Sequence, residues 1–396
     1  MCAPGGTDAR SAPAIRIHLA DIFANYRDQL GYLDSPQVKA VQAIIDCRTA
    51  VLGGHARVCD ECGHREISYN SCRNRHCPRC QSLDQARWIE RQEADLLPVE
   101  YHHAVFTIPD TLHPLFQEHP RLAYDSLFAA VAETLQDTAA IPRLLGARLG
   151  FTAILHTWTQ DLRYHPHLHV VVVGGGLDGQ GHWHSCRPGF FLPVDVLRQF
   201  FQAKLLRRLE ITFATGTDEE KVRDLLIAAA AKTWVVFTKP AGTGATHVLG
   251  YLGRYIQRTA FSSSRLLDAS NGKVTFTYRD RADGNKKKTM SLPAAEFLHR
   301  YLLHVLPTGF MRVRHYGFLG NACRATRIAH IRDQLEQRPH ELTPKPSPDE
   351  PWEALMLRIT GRDVTRCPAC KQGKLQLIAT LLPTARIYIL QKARSP

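Results

Sequence analysis

Between His55 and Cys80 the apolar periodicity of the chain stops, and two cysteine pairs, Cys59-x-x-Cys62 and Cys77-x-x-Cys80, stand in the gap. A segment rich in Gly, Asn, Arg and Cys has no hydrophobic face to organise its backbone, so a metal takes that role. The two pairs are fourteen residues apart, the spacing that brings four thiolates round one tetrahedral Zn2+. A small four-cysteine zinc-binding domain is predicted, with Cys59, Cys62, Cys77 and Cys80 as ligands. Six of the eleven cysteines lie in such pairs, which favours metal over disulfides. Cys72 and His76 leave the ligand count open. Cys367-x-x-Cys370 has no second pair near it in sequence and is a weak signal by itself.

Lys and Arg number 50 against 37 acidic residues, a net charge of +13, and the pI is near 9.3. Such a balance points to a polyanionic partner, nucleic acid before an anionic membrane. Arg57, Arg73, Arg75 and Arg79 crowd the cysteines, where they favour thiolates and offer charge to phosphates. Lys286 to Lys288, read as a basic turn, and Arg312, Arg314, Arg324 and Arg327 add to this. No apolar run reaches the roughly 18 residues of a membrane span, and the first residues lack the apolar core of a signal peptide. The expectation is a cytoplasmic, nucleoid-associated prokaryotic protein. GGGLDGQG at 174–181 closes a strand as a glycine-rich turn, and no helix with Lys-Ser/Thr follows, so no ATP site is read there.

Helical spacing marks 15–30, a helix starting at Ser35-Pro36, and further helices over 83–97, 121–137, 193–209, 219–232 and 293–305. Strands are expected near 101–108, 150–157, 168–173, 234–238 and 273–278, the second and third as a hairpin. A proline-rich linker spans 338–351. The fold class is α+β, an antiparallel sheet flanked by helices and preceded by the zinc domain. Six segments are expected: 1–50 helical, 51–98 zinc-binding, 99–265 catalytic, 266–335 a basic extension, 336–353 linker, and 354–396 a tail with the lone cysteine pair.

His165, His167 and His169 alternate along a strand that runs into Val170–Val173, so its period of two places all three on one face. Leu168 and the alternate valines then anchor that face to the core. A solvated histidine cluster or a structural zinc site fits the same residues. Tyr251 and Tyr255, four residues apart in an expected helix, share a face one turn apart, a pair that packing alone also explains.

Taken together these features resemble the HUH two-tyrosine rolling-circle transposases, closest to the insertion-sequence ninety-one type. The likeness rests on SYNSCRNRHCPRCQ, HTWTQDLRYHPHLHVVV, GYLGRYIQRTA and FMRVRHYGFLGN, and covers roughly residues 35–335 and part of the tail. The resemblance implies an HUH-endonuclease-like sheet in which His167 and His169 hold a catalytic Mg2+ or Mn2+. Tyr251 and Tyr255 are then paired nucleophiles on single-stranded DNA. For a third ligand it suggests Gln160, with His165 and Asp161 as alternatives. Arg73, Arg75, Arg79, Arg254 and Arg258 are the expected DNA contacts. A replication initiator or relaxase shares this chemistry, and a non-catalytic zinc-dependent regulator shares the composition.

Overall fold

The computed structural model describes residues 17–80, 82–189, 191–214, 219–243, 253, 259–280, 282–335 and 350–384. At the amino-terminal end, α1 (Leu19–Tyr26) and α2 (Ser35–Asp46) precede the hairpin β1 (Gly54–Cys59) and β2 (Arg65–Tyr69), with α3 (Ser82–Glu93) after it. The start of α2 is fixed locally. The Asp34 carboxylate accepts from the Gln37 amide at 2.7 Å, and the Gln37 side chain accepts from the Asp34 amide at 3.1 Å, a reciprocal cap.

The central unit follows as β3 (Glu100–Thr107), α4 (His113–Glu118), α5 (Pro120–Ala140), β4 (Arg148–Trp158), β5 (Tyr164–Leu177), β6 (Trp183–Ser185), α6 (Val194–Phe213), α7 (Glu219–Ala230) and β7 (Val235–Thr243). A second small sheet contains β8 (Leu266–Ser270), β9 (Lys273–Asp280) and β10 (Lys286–Pro293), and α8 (Ala294–Leu302) follows it. After these come β11 (Val313–Tyr316), α9 (Arg324–Gln334), α10 (Trp352–Thr360) and β12 (Leu375–Leu381). The fold is the expected mixture of helices and antiparallel sheet.

The main sheet runs β11-β4-β5-β3-β7, and β6 pairs with the far end of β5. Every pairing in it is antiparallel. Its middle strand is β5, whose alternating side chains serve two cores. Leu168, Val170 and Val172 pack with Ala104, Phe106, Leu155, Phe128, Val131 and Phe201 under α5 and α6. Val171 and Val173 face the other way and meet Leu97, Ile154, Phe318, Ile328 and Ile331, with Trp88 and Ile89 of α3 alongside. Burial on both faces explains the unbroken valine run, each side chain contributing about 1.5 to 3 kcal/mol.

Two local expectations are corrected. Gly174, Gly175 and Gly176 are extended residues of β5, not a turn. A Cβ on Gly175 would lie within the Trp183 ring, so it is packing that demands glycine here. The reversal comes only at Asp178, whose carboxylate accepts from the amides of Gln180 and His182 at 2.9 and 2.8 Å. Likewise Lys286–Lys288 begin β10 instead of forming a turn. Lys286 pairs with Asp283 at 2.8 Å, and Lys288 bridges Asp280 and Asp283 at 2.8 and 3.0 Å, so two of the three lysines are engaged locally.

Chain order and spatial order differ. Leu19, Phe23 and Ile44 of the first helices share a core with Phe261, Phe276, Phe297 and Tyr301. β11, late in sequence, edges the main sheet beside β4. Gly317 ends β11 with φ +62, and a Cβ there would fall deep inside the carbonyl oxygen of Leu149. Gly317→Ala should therefore cost about 2 to 4 kcal/mol, read as a lowered urea midpoint. Gly31→Ala, with nothing within 4 Å of its Cβ, should stay within about 0.5 kcal/mol of the parent. Equal midpoints for the two variants would overturn this account.

Candidate catalytic and metal centres

Three imidazoles gather on the face of β5 that carries Val171 and Val173. Register explains the gathering: His156 of β4 stands directly opposite His167, and Ile154 opposite His169. Direct and diagonal neighbours of an antiparallel pair share a face, so His156, His167 and His169 converge. Their ligand nitrogens all lie within 4.8 Å of one another, the His167 and His169 Nε2 atoms 3.1 Å apart. All three residues are buried.

Hydrogen bonds fix which nitrogens remain open. His167 Nδ1 donates to the His165 carbonyl at 2.7 Å, which leaves its Nε2 lone pair for a metal. His169 Nδ1 lies 2.9 Å from Nε2 of His103 on β3. Burial pushes His103 down to about 3, with Lys239 and His167 adding to the effect, so it is neutral at pH 7 and can accept the His169 Nδ1 proton. Nε2 of His169 is then open as well. His156 stacks on Trp158 with ring centroids 4.5 Å apart, which holds its plane.

Gln160, which the resemblance suggests as third ligand, lies beyond the paired part of the two strands. The ladder runs from His156↔His167 to Trp158↔Tyr164 and then ends, so Gln160 falls in the turn beyond it. There its carbonyl accepts from Arg265. Asp161 accepts from Thr159 at 2.5 Å and from Arg163 at 2.7 Å. His165 meets the cluster through its carbonyl, and its ring lies 5.2 Å from that of His167. The third nitrogen that the described residues bring to His167 and His169 is that of His156. Tyr251, Tyr255, Arg254 and Arg258 lie outside the described residues. Gly253, between the tyrosines, is described, and a Cβ on it would stand 3.0 Å from Ile89 of α3.

The cysteines form two clusters, not one. Cys77 and Cys80 meet Cys47 and Cys72, while Cys59 and Cys62 meet Cys367 and Cys370. The single site of Cys59, Cys62, Cys77 and Cys80 is thus divided because β1 and β2 carry the first pair to one end of a hairpin, away from the second. In the first cluster Cys80 Sγ is 3.2 Å from Cys47 and 3.5 Å from Cys72. Four convergent thiols suit Zn2+, whose tetrahedral tetrathiolate sites have Zn–S near about 2.3 Å. Cys47, just past the end of α2, escaped the sequence reading because it belongs to no pair.

The arginines chosen as DNA contacts divide too. Arg75 donates to the Phe310 and Pro307 carbonyls at 2.5 and 3.0 Å, a structural clamp. Arg79 reaches the Cys47 carbonyl at 3.4 Å. Arg312 is half-buried, Arg314 pairs with Asp125 against the Phe128 ring, and Arg324 binds Asp95 at 3.1 Å. Arg73 and Arg327 are exposed.

Comparison with known proteins adds to this geometry. A family model described as "Putative transposase" matches residues 150–327, and one described as "Transposase zinc-binding domain" matches residues 18–108. The chain is 45% identical over 383 residues to "Putative transposase y4qJ" of Sinorhizobium fredii, covering 93% of this chain and 95% of that one. It is 30% identical over 354 residues to the "Transposase for insertion sequence element IS801" of Pseudomonas savastanoi pv. phaseolicola, covering 86% and 83%. No solved structure matches it. Among the described residues no helix is long and apolar enough to cross a membrane.

Proposed function

Since the chain belongs to the insertion-sequence transposases of the IS91 type, we propose that it cuts and rejoins single-stranded DNA through 5′-phosphotyrosine links. In this reading His156, His167 and His169 hold Mg2+ or Mn2+, and Tyr251 and Tyr255 are the nucleophiles. The observation that carries it is the convergence of three buried imidazoles whose tautomers are set by the His165 carbonyl and by His103. A divalent ion bound there supplies electrophilic activation of the scissile phosphate. Imidazoles on the rigid paired strands β4 and β5 suit Mn2+ by softness.

The phenol oxygen of a tyrosine attacks phosphorus, the bond to the 3′ oxygen breaks, and a free 3′-hydroxyl leaves. The phosphodiester energy is kept in the tyrosine ester, so reversal by another 3′-hydroxyl rejoins DNA without ATP. Two tyrosines let one hold the cut donor while the other opens a second strand. Gly253 against Ile89 favours this assignment, because α3 flanks the same sheet face as the histidines. Exposed Arg73 and Arg327 are candidate phosphate contacts.

The test uses purified protein, single-stranded DNA from the element ends labelled at its 3′ end, Mg2+ or Mn2+, and a denaturing gel. A labelled protein adduct that needs metal and disappears in the Tyr251→Phe/Tyr255→Phe double variant supports the reading. Binding without any adduct would favour a non-catalytic regulator.

His103 acts here as a positioning residue through His169. His103→Ala should raise the metal concentration for half-maximal capture about 10- to 100-fold, with yield recovering at saturating metal. His103→Gln, which keeps a side-chain acceptor, should restore most of the affinity. A lower yield at every metal concentration, with an unchanged midpoint, would argue against a role through the metal.

A further inference from the structure

We propose that Cys59, Cys62, Cys367 and Cys370 form a second zinc site, distinct from the cluster of Cys47, Cys72, Cys77 and Cys80, that fastens the tail to the amino-terminal module. The matched zinc-binding domain ends at residue 108 and holds only half of these four thiols. The other half comes from the far end of the chain, beyond both family matches.

The geometry is that of a tetrathiolate. Cys59 and Cys370 Sγ are 3.7 Å apart, as are Cys62 and Cys367. A tetrahedron with Zn–S of about 2.3 Å has edges of about 3.8 Å. All four thiols are free. The two halves are built alike. Each second cysteine is followed by a residue in the left-handed region, Gly63 at φ +69 and Lys371 at φ +58. The amide of Gly63 donates to the Cys59 carbonyl at 3.2 Å, and that of Lys371 to the Cys367 carbonyl at 3.0 Å. Backbone amides also point at sulfur, Cys62 to Cys59 at 3.5 Å and Gly373 to Cys370 at 3.3 Å, as thiolates require. These are two matched knuckles facing one point.

The surrounding contacts hold the knuckles together without a metal's help. β12 pairs antiparallel with β1 from Gly54↔Leu381 to Cys59↔Leu375, making one three-stranded sheet with β2. A Cβ on Gly373 would come 2.5 Å from Cys59 Sγ, so only glycine lets the tail approach this closely. The Asp60 carboxylate accepts from the Lys374 amide at 2.7 Å. Arg57 lies over the Trp352 ring at 5.3 Å and reaches the Val364 carbonyl at 3.4 Å, so it serves the tail. Arg358 of α10 bridges Glu350, at 2.7 Å, and Glu90 of α3.

The experiment counts thiolate-bound metal in the full-length chain after Co2+ replaces Zn2+, by the near-ultraviolet sulfur-to-cobalt absorption that a histidine site does not give. The two clusters predict two equivalents per chain. Cys367→Ser/Cys370→Ser should remove one, Cys59→Ser/Cys62→Ser the same one, and all four changes together no more than that. Adding Cys77→Ser should remove the other. Unchanged absorption in Cys367→Ser/Cys370→Ser would overturn the proposal. In the unaltered Zn2+ protein, mass-spectrometric mapping of alkylated thiols gives an independent reading should the variants not fold. Cys59, Cys62, Cys367 and Cys370 should be protected together and released together by a chelator. Free alkylation of Cys367 and Cys370 while Cys59 stays protected would equally overturn it.

Discussion

His156→Ala is expected to reduce metal-dependent covalent capture of DNA by at least about a hundredfold, as severely as His167→Ala, whereas Gln160→Ala should stay within a few-fold of the parent. Losing one of three nitrogens leaves two imidazoles, too few to hold a labile divalent ion at ordinary concentrations. No described carboxylate joins His156, His167 and His169 to replace the missing ligand. Gln160 stands past the end of the β4–β5 ladder, where its carbonyl engages Arg265, and its side chain is not needed for that bond. Mn2+ titration followed by paramagnetic resonance separates metal loss from misfolding, and a melt of each variant checks that the sheet survives. Retained capture in His156→Ala together with lost capture in Gln160→Ala would restore the glutamine as ligand and sink the three-histidine reading.

Cys77→Ser should be the most damaging single change to folding. Structural zinc contributes on the order of 10 to 16 kcal/mol in small zinc domains, comparable with the roughly 5 to 15 kcal/mol net stability of most folded chains. Cys47 and Cys77 are themselves fully buried among Leu19, Phe23, Ile44, Phe297 and Tyr301. The Tyr301 hydroxyl donates to the His76 carbonyl, and Arg75 ties the same loop to Pro307 and Phe310. An unfilled cluster therefore loosens α1, α2 and α8 along with the cysteine loop. Hydrogen exchange should show protection lost over residues 19–46 and 294–302, while the main sheet keeps its own. Cys323→Ser, outside both clusters, should change neither zinc content nor exchange. Native protection at 19–46 in Cys77→Ser would refute the coupling.

The parts of the site legible in sequence are those set by local periodicity. A strand's period of two puts His167 and His169 on one face whatever else the chain does, and Leu168 is indeed fully buried on the other. His156 was not legible, because its place depends on which residue of β4 meets His167 across the hairpin. That register includes an irregularity between His156 and Trp158 that no local pattern announces. The cysteines teach the same distinction. Each CxxC pair declares itself by spacing, but which pairs share a metal is a long-range matter, and adjacency in sequence pointed to the wrong partners. The glycines of β5 misled for a related reason: their cause is the Trp183 ring and the backbones of neighbouring strands, not a turn. Charge was the least informative, since Arg75, Arg314, Arg324 and Lys288 are spent inside the protein.

The pairing of β1 with β12 sets a timetable. During synthesis β1 emerges early and pairs with β2, but its other edge has no strand to meet until residues 375–381 have left the ribosome. For most of translation the amino-terminal sheet presents an open edge and two cysteines without their counterparts, the kind of surface that invites association between nascent chains. A message cut short after the main sheet would encode His156, His167, His169 and both proposed tyrosines and still yield a protein whose first module stays unfinished. Completion of the chain thus becomes a condition that the fold itself checks.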